Sequence, residues 1–270
     1  MKLAVVVQAR MHSTRLPGKV MLPLGGKPLL ERVLQRVRAA GRVQRLLVAT
    51  TTSATDDPIV ELCIKLGVDY VRGDVEDCLA RHLIAAAHSS ADAVATIRSN
   101  CPLIDPQVID HVLSVWHGSE GRYDYLGNLR PPSWPDGNNV EIVSLAALRT
   151  AGREASEPSD REQTTSFLCS RPDRFRLGNV VWETGLDYSK SRRFVVDWPE
   201  DYAFVCAVFE RLMRTHGPCF GVQAILRLLE REPELLAINA GRRGHERTEQ
   251  NETRLREQPE PSWRALHARR

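Results

Sequence analysis

The chain is best entered at Gln8–Ala9–Arg10–Met11–His12–Ser13–Thr14–Arg15–Leu16–Pro17–Gly18–Lys19. The run Leu3 to Val7 before it is apolar, short and β-branched, as a buried strand is. That strand empties into a polar loop with three cations, Arg10, Arg15 and Lys19, spaced by Ser13, Thr14 and Gly18. Several fixed cations just beyond a strand end suit a polyphosphate, whose charge needs several donors at once. The residues of the loop taken alone fit equally well with a solvated surface turn.

Working outward, apolar segments alternate between two periods. Leu29, Leu30, Val33, Leu34 and Val37 recur at helical spacing, with Glu31, Arg32, Gln35 and Arg36 between them. Strands are expected at 46–49, 68–71, 93–97 and 140–143, and helices from about 57 to 66, 77 to 87, 106 to 115 and from 145 on. Such alternation predicts a mainly parallel sheet covered by helices on both faces, with ligands at the carboxyl ends of the strands. The opening loop and Arg98–Ser99–Asn100–Cys101–Pro102 then share one rim. Residues 128–139, with Pro131–Pro132 and Pro135–Asp136–Gly137, have no periodicity and read as a functional loop or lid. A charged helix is expected from Glu157 to Leu168, an apolar run at Phe194–Val196, a helix after Asp197–Asp201 through Met213, and a last one from Val222 to Glu230. The acid pairs Asp56–Asp57 and Glu200–Asp201 sit where helix capping accounts for them.

The 270 residues, 42% hydrophobic, suffice for one large α/β domain. Beyond about Gly241 the chain is rich in Arg, Glu, Gln and His and poor in aliphatics, which predicts a disordered tail over 241–270. A net charge of only +3 gives no field directed at nucleic acid. No apolar run approaches a membrane span and the first strand is too short for a signal peptide, so a cytoplasmic protein is expected. The six cysteines contain no CxxC pair and read as reduced, mostly buried small hydrophobes.

The loop resembles the nucleotide loop of the cytidylyltransferases that activate acidic sugars, in particular the spore-coat polysaccharide branch of the acylneuraminate cytidylyltransferases. The likeness continues in order through Ala49–Thr50–Thr51, Arg72–Gly73, Cys101–Pro102–Leu103–Ile104–Asp105–Pro106, Asp124–Tyr125, Asn128, Pro135–Asp136–Gly137 and Val140–Glu141. It resumes at Arg161–Glu162, Asp197–x–Pro199–Glu200–Asp201 and Ile238–Asn239–Ala240, covering about residues 1–240. The resemblance implies a three-layer α/β/α, Rossmann-like nucleotide-diphospho-sugar transferase fold with a mainly parallel mixed sheet. It also implies the reaction of CTP with an acidic sugar to give CMP-sugar and pyrophosphate, for surface polysaccharide or glycoconjugate synthesis.

Carried over residue by residue, Arg15 and Lys19 would hold the β- and γ-phosphates as the catalytic cations. Arg10 would support the loop or the α-phosphate, and main-chain groups near Ala9 would meet the base. Gln8, Ser13, Thr14, Arg72 and Arg98 complete the expected nucleotide site. Magnesium would be held at Asp197 and at Asn100, a position where relatives carry aspartate. Asn128, Asp136, Asn139, Glu141, Arg161 and Glu162 are the expected acceptor residues, with Trp198 a further candidate. Asn139 and Gln163 also replace titratable residues of the family pattern. A catalytically weakened or inactive nucleotide- or sugar-binding homologue, or a nucleotidyltransferase with a changed acceptor, is therefore the alternative. Related enzymes often form homodimers through the segment that is here about 124–175.

Overall fold

A computed structural model of the chain describes residues 1–243; of the tail expected over 241–270, the first residues are ordered in a 3-10 turn, Ala240–Arg242, and the part from Gly244 onward lies outside the described residues. The chain opens with strand β1 (Leu3–Gln8), whose side chains alternate between two cores. Leu3, Val5 and Val7 join one hydrophobic cluster, while Val6 joins a second on the opposite face. That division follows from the two-residue period of a strand covered on both sides. A two-stranded ribbon, β2 (Pro23–Leu24) and β3 (Lys27–Pro28), leads into helix α1 (Leu29–Arg38). The helix buries the predicted stripe of Leu29, Leu30, Val33, Leu34 and Val37 against the first cluster.

Strand β4 (Leu46–Thr51), helix α2 (Asp57–Leu66), strand β5 (Asp69–Gly73), helix α3 (Cys78–Ser89) and strand β6 (Ala93–Arg98) follow in the predicted alternation. Gly67 ends α2 at φ 56°, the left-handed conformation that glycine adopts without strain. Helix α4 (Pro106–Gly118) starts on Asp105, whose carboxylate accepts the Gln107 N–H at 2.8 Å. The chain then adds β7 (Tyr125–Gly127), β8 (Glu141–Ser144), α5 (Leu145–Glu154), α6 (Pro158–Glu162), α7 (Ser166–Cys169) and β9 (Leu177–Asn179). Helices α8 (Pro199–His216) and α9 (Val222–Arg231) follow, and two 3-10 turns, Pro233–Ala237 and Ala240–Arg242, close the described fold.

The main sheet has seven strands in the order β5-β4-β1-β6-β8-β7-β9. All neighbours pair in parallel except around β8, which runs antiparallel to both β6 and β7. Helices α1, α2, α4, α8 and α9 bury side chains in the first cluster, and α3, α5 and α7 in the second. The result is the expected three-layer, mainly parallel architecture.

One local expectation is corrected, and two others gain detail. The stretch Glu157–Leu168 is not one helix but two short ones, α6 and α7, interrupted at Gln163–Thr165. Side chains of the interruption are engaged sideways: Thr165 Oγ1 donates to Glu141 at 2.8 Å, and Thr164 Oγ1 lies 3.1 Å from His82 Nδ1. Residues 128–139 lack periodicity yet bury Ser133, Trp134 and Asn138. Trp134 stacks on Trp182 at 6.0 Å between ring centroids, so anchors rather than a repeating face hold the segment down. Phe194–Val196 is buried without joining a ladder: its N–H groups reach Asp136 O (2.8 Å, from Phe194) and Asn100 O (2.8 Å, from Val196).

Candidate active site

Site geometry begins with Met11. Its N–H donates to Asp56 Oδ1 at 2.7 Å, and its carbonyl accepts the Gly18 N–H at 3.0 Å. The loop 11–18 is thereby closed on itself just above the ends of β1 and β4. Gly18 turns the corner at φ 67°, a conformation in which a side chain is strained, and delivers Lys19 into a short 3-10 turn. Ser13 Oγ accepts the Leu16 N–H at 3.4 Å inside the loop, while Thr14 and Arg15 lie exposed.

From the loop, Lys19 Nζ reaches Asp197 Oδ1 at 2.5 Å and an Arg15 guanidinium nitrogen lies 3.3 Å from the same oxygen. Asn100 Nδ2 donates to it at 3.0 Å. Asp197 and Asn100 are brought side by side because the Val196 N–H binds the Asn100 carbonyl. The loop, the end of β6 and the approach to α8 thus meet at one carboxylate, which is almost fully buried.

Behind Asp197 stands Arg193, which the sequence reading did not single out. Its guanidinium donates to Asp201 through Nε (2.9 Å) and a terminal nitrogen (3.0 Å), to Asp197 Oδ2 (3.3 Å) and to Asp136 Oδ2 (3.4 Å). Burial disfavours a charged guanidinium, yet the hydrogen bonds and charge of Asp201, with Asp136 and Asp197, raise the Arg193 pKa above its ordinary value. Asp201 accepts the backbone N–H groups of Asp197 and Trp198 at 3.1 Å each, so it caps α8 as expected and also anchors Arg193. Asn239 Nδ2 closes the network on Asp201 Oδ1 (3.2 Å) and the Arg193 carbonyl (3.1 Å). Gly137, at φ 105°, runs so close that a Cβ would meet the Phe194 carbonyl carbon at 2.9 Å, which is how the Pro135–Asp136–Gly137 turn docks on this segment.

Other predicted residues take up distinct places. Gln8 and Arg98 are register partners at the carboxyl rim of β1 and β6, and Ala9 is buried just past the strand. Arg10 makes a 3.7 Å ion pair with the exposed Glu162. Arg72 is committed within the turn after β4, donating to Thr51 O (2.7 Å), Ser53 O (2.7 Å) and Asp57 (2.8 Å). Asn128 uses both ends of its amide on the Asn138 carbonyl (2.7 Å) and the Val140 N–H (2.9 Å). Asn139 donates to Asp136 at 3.2 Å. Glu141, on β8, accepts from Tyr125 (3.0 Å) and Thr165 (2.8 Å) in a buried setting. Arg161 is fastened to Asp77 at 2.6 Å, the carboxylate that also caps α3. Trp198 lies under two guanidinium groups, those of Arg242 (4.1 Å) and Arg15 (5.6 Å).

Cys101 follows Asn100, but burial, reinforced by the charge of Asp136, pushes its thiol pKa far up. It is a packing residue rather than a nucleophile. His82 instead faces Cys78, at 3.6 Å from Sγ. The capping account of Asp56 fails: its side chain makes no cap hydrogen bond and turns back to the loop.

Among the described residues no three His, Cys, Asp or Glu side chains converge as a metal cage. Magnesium, however, commonly takes one or two carboxylates together with substrate phosphates and water. Asp197 supplies one such carboxylate, with the Asn100 side chain beside it.

A parallel sheet presenting a cationic loop and a buried aspartate at its carboxyl rim defines a nucleotide-binding α/β enzyme. The model of the cytidylyltransferase family matches residues 4–232, and the chain belongs to that family, whose members are nucleotidyltransferases. It is 28% identical over 234 residues to the spore coat polysaccharide biosynthesis protein SpsF of Bacillus subtilis, covering 85% of this chain and 94% of that one. A solved cytidylyltransferase structure from Leptospira borgpetersenii superposes with a TM-score of 0.82 at 28% identity, over 87% of this chain and 97% of the other. The fold is shared with CMP:2-keto-3-deoxy-manno-octonic acid synthetase solved with CTP, at a TM-score of 0.58 and 16% identity, over 78% of this chain and 99% of that one.

Proposed function

We propose that the chain couples CTP to an acidic sugar, giving CMP-sugar and pyrophosphate, in the synthesis of a surface polysaccharide or glycoconjugate. The observation that carries this is the convergence of Lys19 and Arg15 on Asp197 beside Asn100, at the carboxyl rim of β1 and β6. The chemistry of two relatives supports it: SpsF is a polysaccharide biosynthesis protein, and the synthetase of the shared fold was solved with CTP.

In the reaction a sugar hydroxyl oxygen attacks the α-phosphorus, the bond from that phosphorus to the oxygen bridging to the β-phosphate breaks, pyrophosphate leaves with that oxygen, and the hydroxyl proton passes to solvent water. Charge accumulates on the equatorial oxygens and on the departing pyrophosphate, so catalysis is positioning and neutralisation. Lys19 and Arg15 neutralise the leaving phosphates, and the rim around Gln8 and Ala9 receives the nucleotide. In the protein, three carboxylates (Asp136, Asp197, Asp201) meet three cations (Arg15, Lys19, Arg193). Turning Lys19 and Arg15 toward phosphate leaves Asp197 short of positive charge. Asp197 and Asn100 are the residues that would hold magnesium, which would supply that charge and polarise the phosphate oxygens. Asp136, Asn139 and Glu162, on the same side, are assigned to the acceptor.

The test is pyrophosphate release from CTP and magnesium with a panel of ulosonic acids. Release that requires both substrates is expected; silence across the panel together with no CTP binding contradicts the assignment. The neutral Asn100 beside Asp197 favours a second reading, in which CTP binds and turnover is weak until a second carboxylate is restored.

A further inference from the structure

Asp56 is 1% exposed, yet its carboxylate has no role in the helix it precedes. Each oxygen accepts a main-chain donor: Oδ1 takes the Met11 N–H at 2.7 Å, and Oδ2 takes the Thr51 N–H at 3.2 Å. Oδ2 also accepts the hydroxyls of Thr50 (3.0 Å) and Thr51 (2.6 Å). The two N–H groups cannot reverse direction, so the position needs an acceptor at both ends, which aspartate has and asparagine lacks.

The carboxylate stands on a braced turn. Arg72 holds the carbonyls of Thr51 and Ser53 and the Asp57 side chain, and the Thr52 N–H extends the sheet to the Gly73 carbonyl at 2.9 Å. Met11, in turn, is the residue through which the loop closes, since its carbonyl accepts the Gly18 N–H just ahead of Lys19. A path of hydrogen bonds therefore runs from Arg72 on β5 through Thr51, Asp56 and Met11 to Gly18.

We propose that Asp56 is a positioning residue for nucleotide binding: it indexes the cationic loop against the end of β4, so that Arg15 and Lys19 are already placed when a triphosphate arrives. This rests on the loop being the nucleotide site. Pre-placing the cations lowers the ordering cost of binding. Asp56 touches no substrate itself and acts through Met11.

The test compares the full-length protein with Asp56→Ala, Asp56→Asn and Thr50→Val. Two readouts are taken: hydrogen–deuterium exchange of the amides of residues 9–19 without ligand, and calorimetric binding of CTP. Asp56→Ala is expected to raise exchange in 9–19 and to weaken CTP by about 10-fold or more, as loss of hydrogen bonds to a charged group does. Asp56→Asn, which keeps one acceptor for Met11, should fall between it and wild type. Thr50→Val removes a carboxylate partner without touching Met11, so it should lose melting temperature while CTP affinity stays within about two-fold. Unchanged exchange of 9–19 in Asp56→Ala, or in Asp56→Asn should the alanine variant fail to fold, overturns the proposal. An affinity loss in Thr50→Val equal to that of Asp56→Ala overturns it as well. Wild-type protein that binds no CTP while Asp56→Ala still loosens the loop would instead reject the nucleotide reading and leave the clamp standing.

Discussion

Lys19 Nζ lies 2.5 Å from Asp197 Oδ1, joining two residues 178 positions apart in the chain. The contact unites the first loop of the fold with the entry to α8, and the Asn100 amide shares the same carboxylate oxygen. Lys19 is therefore the residue whose loss separates binding from folding most cleanly. Lys19→Met should retain the fold, because Asp197 keeps its contacts with Arg193 and Asn100, but should weaken triphosphate far more than cytidine. Competition binding with the two ligands reads the difference, and equal losses for both would place Lys19 away from the phosphates.

Asn100→Asp sets a second carboxylate against Asp197 at a distance that is now 3.0 Å. Like charges that close oppose each other, so the variant should melt below wild type in chelator. It should gain more melting temperature from magnesium than wild type does, since a cation bound to the native state stabilises it. Thermal shift with and without magnesium measures both. A magnesium response no larger than wild type's would count against this rim as the cation site.

Arg193→Met should be the most damaging single change in the site. It removes the partner of Asp201, which is fully buried, and one partner each of Asp197 and Asp136. Breaking a buried ion pair from one side costs about 3–5 kcal/mol. Denaturant unfolding followed by circular dichroism should show a loss of that order, and a loss below about 1 kcal/mol would mean that the network relaxes around the gap.

Asp124 gives a pH prediction. The Arg176 side chain grips it by two hydrogen bonds, at 3.0 and 2.8 Å, and holds its carboxyl below the usual aspartate pKa. A depressed folded-state pKa contributes stability that is present above the unfolded value of about 4 and is lost as pH falls through the folded one. Because Arg176 is largely exposed, solvent screening limits the pair to roughly 0.2–1 kcal/mol. Asp124→Asn should thus melt slightly lower than wild type at pH 7, with the gap closing toward pH 3. A gap that persists or widens in acid would contradict the sign.

The alternation of strands and helices was legible because short β-branched apolar runs, as in Leu3–Val7, alternate with helically spaced stripes, as in α1. The cationic loop was legible because its charges cluster within a dozen residues. Strands β7 and β9 were not, since three residues are too few to show an alternation. Arg193 escaped notice, and Asp56 was read only as a helix cap, for a different reason. Each acts on partners that only the fold brings near: Arg193 on Asp136, 57 positions earlier, and Asp56 on Met11, 45 positions earlier. Nothing local separates them from an ordinary surface arginine or a helix cap. Glu141 and Arg161 illustrate the converse. Motif position marked them for the acceptor, and the structure shows both engaged by neighbouring side chains.

The central claim is that the opening loop holds the triphosphate of CTP through Arg15 and Lys19. Isothermal titration of CTP into wild type, Arg15→Met and Lys19→Met, with magnesium present, addresses it most directly. The account predicts saturable one-site binding to wild type and at least about a 10-fold loss in each variant, as expected for removal of a charge-assisted phosphate contact. Equal affinity in all three proteins, or no binding to wild type, would contradict it.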